Sequence, residues 1–148
     1  MAKLLLKKSY RHKDLKEIKF QNLWNSYGVF TTMRVIGKPA KILFFKDHMN
    51  NLFSSLKNYK IYYKDIKKDI LKLIRININD KIKYDHLFRV AVNKKIISVS
   101  LRKRLKPKLD FKLKLINYKR IDPEYKNLKY KKILSYLKRM DTKKSDIA

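Results

Sequence analysis

The chain has no cysteine, two glycines, three prolines and one tryptophan in its 148 residues. Without cysteine there is no disulfide and no thiolate metal site, which fits a reducing compartment. Two glycines cannot build a P-loop, a Gly-x-Gly-x-x-Gly dinucleotide turn or a nucleophile elbow. Acids are scarce too: 12 Asp and Glu face 40 Lys and Arg, for a net charge of +28. These carboxylates show no obvious acid–base pair, and His12, His48 and His86 lack metal-ligand spacing. Long apolar runs are also missing. Leu4-Leu5-Leu6 meets Lys7-Lys8 at once, too short for a signal-peptide core or a membrane span, so a cytoplasmic protein is the default expectation.

What is present is a chain long enough for one domain, 45% hydrophobic, with a strongly basic surface. Such a charge would ordinarily suggest a nucleic-acid partner. Yet thirty-two of the basic residues are lysines, which act as diffuse point charges rather than bidentate readers of phosphate and guanine. Lysine excess beside abundant Ile, Asn, Tyr and Phe is also the product of A+T-rich codons. Charge alone leaves a lysine-rich RNA- or ribosome-associated protein open as the alternative. The run Arg102-Lys103-Arg104-Leu105-Lys106-Pro107-Lys108 reads as a solvated loop more readily than as an RNA contact.

Patterning predicts alternating strands and helices. The stretch Tyr27 to Val35 reads as a glycine turn and then a short strand; it and a second strand, Lys41 to Phe45, flank a Gly37-Lys38-Pro39 turn, and both glycines are expected in tight turns. A helix capped near Asp47 carries Met49, Leu52, Phe53 and Leu56 on one face. A second follows Asp65 with Ile66, Ile70, Leu73 and Ile74. Leu87 to Val92, Ile96 to Leu101 and Phe111 to Tyr118 read as strands, the first two joined at Asn93-Lys94-Lys95. Asn127 is a candidate cap for a last helix bearing Tyr130, Ile133, Leu134, Leu137 and Met140. The expected fold is α+β: a mostly antiparallel sheet around Phe30, Leu43, Val90, Val99 and Leu113, with two helices on one face. The expected core is Met49, Leu52, Phe53, Leu56, Ile70 and Ile74.

Two motifs give the chain a family likeness. The stretch Tyr27-Gly28-Val29-Phe30, its Gly turn, and Asp47-His48-Met49-Asn50-Asn51-Leu52 resemble the opening of class IV aminotransferases, fold-type IV enzymes that use pyridoxal phosphate (PLP). These include branched-chain and D-amino acid aminotransferases and aminodeoxychorismate lyase. Asp122-Pro123-Glu124-Tyr125-Lys126-Asn127-Leu128-Lys129-Tyr130 resembles the family's segment around the cofactor lysine. The likeness implies residues 1–118 as the small N-terminal α+β domain, and 119–148 as the crossover and start of a truncated PLP-binding second domain.

The same likeness places Lys126 at the lysine that condenses with the PLP aldehyde and then shuttles the substrate Cα proton, a role needing a fixed pose and a free amine. Phe30 falls on a substrate-pocket aromatic, Arg89 on a strand arginine beside the cofactor, and His48 on the helix histidine. Asn51 stands where relatives use an arginine to grip the phosphate; asparagine brings no charge, and Lys57 is a candidate substitute. Lys129 replaces an asparagine. The chain matches about the first half of a typical member, without the glutamate that pairs with the pyridine nitrogen. That implies a natural truncation, one part of a split enzyme, or a pseudo-enzyme. The implied substrates are amino acids and 2-oxo acids. The implied partner is a second copy as a homodimer, or a chain carrying the missing half; no membrane is involved.

Overall fold

The computed structural model describes residues 4–106, 109–110 and 112–140 in full, and the backbone of 145–147. Six strands form one sheet in the order β2-β1-β6-β5-β3-β4, every neighbouring pair antiparallel. They are β1 (Leu4–Arg11), β2 (Glu17–Ile18), β3 (Gly28–Gly37), β4 (Lys41–Ile42), β5 (Tyr84–Asn93) and β6 (Ile96–Lys103). Two helices, α1 (Phe45–Asn58) and α2 (Ile66–Asn77), connect β4 to β5. A mostly antiparallel sheet with helices is the expected α+β architecture.

Strand parity explains the core. Along β3, Val29, Met33 and Val35 point to the helices, and Phe88, Val90 and Val92 do the same from β5. Met49, Leu52 and Leu56 of α1 and Ile70, Leu73 and Ile74 of α2 close over them, as their spacing predicts. Phe53 differs from expectation: it is half-buried and packs at the margin of this core. Helix α1 also starts earlier than Asp47. Phe44 holds the capping position in a left-handed conformation (φ 50°), and Asp47 sits in the first turn, where its charge suits the helix dipole.

Three further expectations change. The N-terminal run is strand β1, paired with β6 from Leu4 to Arg11 in the interior of the sheet order. Gly28 is not in a left-handed turn; it opens β3, paired with Asn93, whereas Gly37 does take a positive φ of 79°. The segment around Leu113 is not part of the main sheet. Lys112–Lys114 (β7) pairs in parallel with Ser145–Ile147 (β8), and Leu113 and Leu115 are 67% and 84% exposed, so no dry face forms there. Phe111 lies outside the described residues. The hairpin turn at residues 93–95 matches expectation: Asn93 Oδ1 accepts from the N–H groups of Lys95 and Ile96, both at 2.9 Å.

The last helix, α3, runs Lys131–Lys138 with Tyr130 at its cap position, three residues beyond the cap expected at Asn127. Ile133 is buried, while Leu134, Leu137 and Met140 are half-buried. Among the described residues no helix is long and apolar enough to cross a membrane.

Candidate active-site cleft

The site is assembled where residues 125–130 dock on the first residues of β3. Phe30 N–H donates to the Lys126 carbonyl (2.8 Å), Leu128 N–H donates to the Gly28 carbonyl (2.9 Å), and Asn25 N–H donates to the Leu128 carbonyl (2.8 Å). The approach is so close that a Cβ on Gly28 would lie 2.3 Å from the Val92 carbonyl oxygen and 2.9 Å from Leu128 Cδ1. Only glycine fits there, for lack of space rather than for backbone freedom.

The loop around Lys126 is braced from within. Asn127 is buried; its Nδ2 donates to the carbonyls of Ile121 (2.7 Å) and Asp122 (3.2 Å), and its Oδ1 accepts from Lys129 N–H (3.0 Å). Arg120 Nη2 donates to the Tyr125 carbonyl (2.8 Å). Tyr59 at the end of α1 donates its hydroxyl to Asp122 Oδ2 (2.8 Å); burial, then the Asp122 carboxylate, push that hydroxyl well above the usual tyrosine range. Asn127 is thus a brace of the loop, not the helix cap its residue type suggested. Lys126 itself is exposed: its main chain is clamped and its side chain is open to solvent.

Lys126, Phe30 and Asn51, expected from three separate parts of the sequence, line one cleft of about 180 Å³. Thr31, Ser54 and Glu124 line it as well. Behind it, Thr31 Oγ1 and His48 Nδ1 are hydrogen-bonded at 3.0 Å. His48 titrates below its ordinary value, first because of burial and second because of the Lys126 charge, with Asp47 opposing. These hydroxyls and the Glu124 carboxylate carried no signal of their own in the sequence.

Arg89 does not line that cleft. It points to the helix-free side of the sheet, its guanidinium 4.5 Å from the Trp24 ring centroid and its Nη2 donating to Asn22 Oδ1 (3.1 Å). Burial, and then neighbouring Arg102, lower its pKa to about 10. Trp24 in turn packs on Phe30 and Tyr130, with centroids at 4.9 and 5.1 Å. Lys57, the candidate substitute for a phosphate-gripping arginine, lines a different groove between α1 and α2.

Comparison with known proteins decides the family. The profile of amino-transferase class IV matches residues 28–148. The chain belongs to the class IV aminotransferase family. Its family and fold are those of PLP-dependent aminotransferases. Among solved structures it resembles the branched-chain aminotransferase of Thermoproteus uzoniensis, solved with norvaline, at a TM-score of 0.54 and 16% identity over 82% of this chain and 51% of that one. It also resembles the branched-chain amino acid aminotransferase of Thermobaculum terrenum (TM-score 0.50, 10% identity, 80% of this chain and 46% of that one). At these identities the likeness is one of fold. The chain spans about half the length of the structures it matches. No curated protein matches the sequence.

Proposed function

We propose that this chain forms the cofactor-lysine side of a PLP-dependent class IV aminotransferase or a lyase of the aminodeoxychorismate type, acting on amino acids and 2-oxo acids. The observation that carries the proposal is the meeting of Lys126, Phe30 and Asn51 at one cleft, with the main chain of Lys126 clamped to β3. The residues fit the group at its aldehyde end: an exposed primary amine stands beside polar side chains on a rigid loop. At the phosphate end they offer hydrogen bonds from Asn51 and Ser54 but no charge.

PLP, when bound, supplies an electron sink for the substrate's Cα. Lys126 would hold the cofactor through its amine, and the same amine would serve as the proton carrier at the substrate's Cα; the Thr31–His48 pair packs behind it and keeps α1 in register with β3. Phe30 gives the cleft an apolar wall, and Arg89 acts one layer out, by stacking on the tryptophan that supports Phe30. Residues 119–148 are read as the crossover toward a second domain. The charge for the phosphate and the partner for the pyridine nitrogen would come from the half that solved relatives carry, and the assembly would be a homodimer. A cytoplasmic setting fits this chemistry. The nucleic-acid alternative gains no support from the comparisons.

The test is to incubate the chain with PLP, reduce with borohydride, and map the modified lysine by peptide mass. Adduct concentrated on Lys126, and absent there in Lys126→Ala, is the expected result. Adduct spread evenly over the thirty-two lysines would defeat the proposal.

A further inference from the structure

On its outer side, α1 presents a second stripe, Asn50, Phe53, Ser54 and Lys57, at the i, i+3, i+4 and i+7 spacing of one helix face. This stripe and the start of α2 border a groove of about 510 Å³, far larger than the Lys126 cleft. Buried Leu56 and Ile61 floor it, half-buried Phe53 and Ile66 form its walls, and Tyr62 stands 68% exposed on its rim. The Tyr62 hydroxyl donates to the Lys57 carbonyl at 2.9 Å, which holds the ring across the groove's end. Lys67 places its Nζ 5.2 Å from the Phe53 ring centroid.

Two properties narrow what could lie there. The groove runs along the outer face of α1 and is bounded by the α1–α2 connection and the first turn of α2, so another helix can lie along α1 there. Its rim is cationic: Lys57 and Lys67 line it, Lys60, Lys64 and Lys68 flank it in sequence, and the nearest acid in that stretch is Asp65. None of these lysines is in a described ion pair. An occupant must therefore bring apolar side chains at helical spacing for the floor and carboxylates for the rim.

We propose that the α1–α2 groove is a docking site for an acidic amphipathic helix of a partner protein. Tyr62, Phe53 and Ile66 receive its apolar face, and Lys57 and Lys67 pair with its flanking carboxylates. The proposal does not depend on the aminotransferase reading: Ser54 borders both sites, but Tyr62, Phe53, Ile66, Lys57 and Lys67 do not line the Lys126 cleft.

The probe is a fluorescein-labelled helical peptide of leucine, glutamate and alanine, with leucines at i, i+3, i+4 and i+7, set against a scrambled isomer of equal charge. Fluorescence anisotropy with the full chain at physiological salt should show the amphipathic peptide binding at least about tenfold more tightly than its isomer. Tyr62→Ala, at an exposed position, and the paired Lys57→Glu and Lys67→Glu reversal should each erase that preference. Reversing Lys94 and Lys95 on the distant hairpin should leave it intact. Equal binding of the two peptides, or equal sensitivity to the hairpin reversal, would show attraction to net charge alone and overturn the proposal. Displacement of the peptide by laurate at similar concentration would identify a small acyl ligand instead, and would overturn it too.

Discussion

The two faces of the sheet are built on different plans. The helix side is closed by apolar side chains repeating at helix and strand periods: Met33, Val35, Phe88 and Val90 beneath Leu52, Leu56, Ile70 and Leu73. Helices α1 and α2 do not extend over the other side. It carries Phe30, Arg34, Arg89 and Arg102 and is covered in part by loop residues Leu23, Trp24, Leu128 and Tyr130. One face is made by local periodicity, the other by distant segments that happen to meet. The chemistry gathers at the border between them, where a stretch late in the chain is laid beside an early strand.

The comparison can be broken hardest on the helix side. Phe88 is completely buried, so Phe88→Ala should cost about 3–5 kcal/mol by urea unfolding, with the whole domain responding. At the border, Gly28→Ala should cost about 1–3 kcal/mol through overpacking, and it should act locally as well. Displacing Leu128 frees the loop, so selective PLP labelling of Lys126 should fall before the fold is lost. A variant with lowered stability and unchanged labelling would separate the loop from Gly28.

Acid should act through the helix side too. His12 stacks on Tyr63 with ring centroids 4.0 Å apart, and among the described residues neither of its ring nitrogens has a hydrogen-bond partner. Burial lowers its pKa from 6.5 to about 4. A lowered histidine pKa means the unfolded chain takes up the proton first. Its contribution is therefore intact above pH 6.5 and is lost as pH falls toward 4. Urea midpoints measured at neutral and acid pH should drop in the wild type, and drop less in His12→Phe.

The smallest effect belongs to the open side. Arg89→Gln removes the cation over the Trp24 ring and should cost about 0.5–1 kcal/mol. Because Trp24 is the chain's one tryptophan, its emission should shift with the substitution. An unchanged spectrum would mean that the stack does not persist in solution.

Legibility followed the same division. The stripes of α1 and α2 and the strands β3, β5 and β6 could be read because each buries one periodic face. Strand β1 could not: Leu4, Leu5 and Leu6 fall on both faces, and its pairing partner β6 is far along the chain. The stretch after Phe111 misled for the opposite reason. Its alternation of apolar and lysine residues is genuine, yet Leu113 and Leu115 have nothing to pack against among the described residues. At the site, Lys126, Phe30 and Asn51 were nameable only through family likeness. The bracing by Asn127 was hidden, since a buried asparagine serving three main-chain groups looks in sequence like any helix cap. Gly28 was singled out correctly but for the wrong reason, as a turn former and not as a residue with no room for a side chain.

The hydrogen bond from Phe30 to Lys126 joins residues roughly a hundred positions apart, which makes it costly in chain entropy and late in time. The clamp requires β3 in its place beside β5, which in turn pairs with β6. An unfinished chain would thus carry a lysine like any other, and its special address would exist only in the completed sheet. During synthesis the order follows the chain itself: Lys126 emerges after β3, β5 and β6, so the strand it is clamped to is made first.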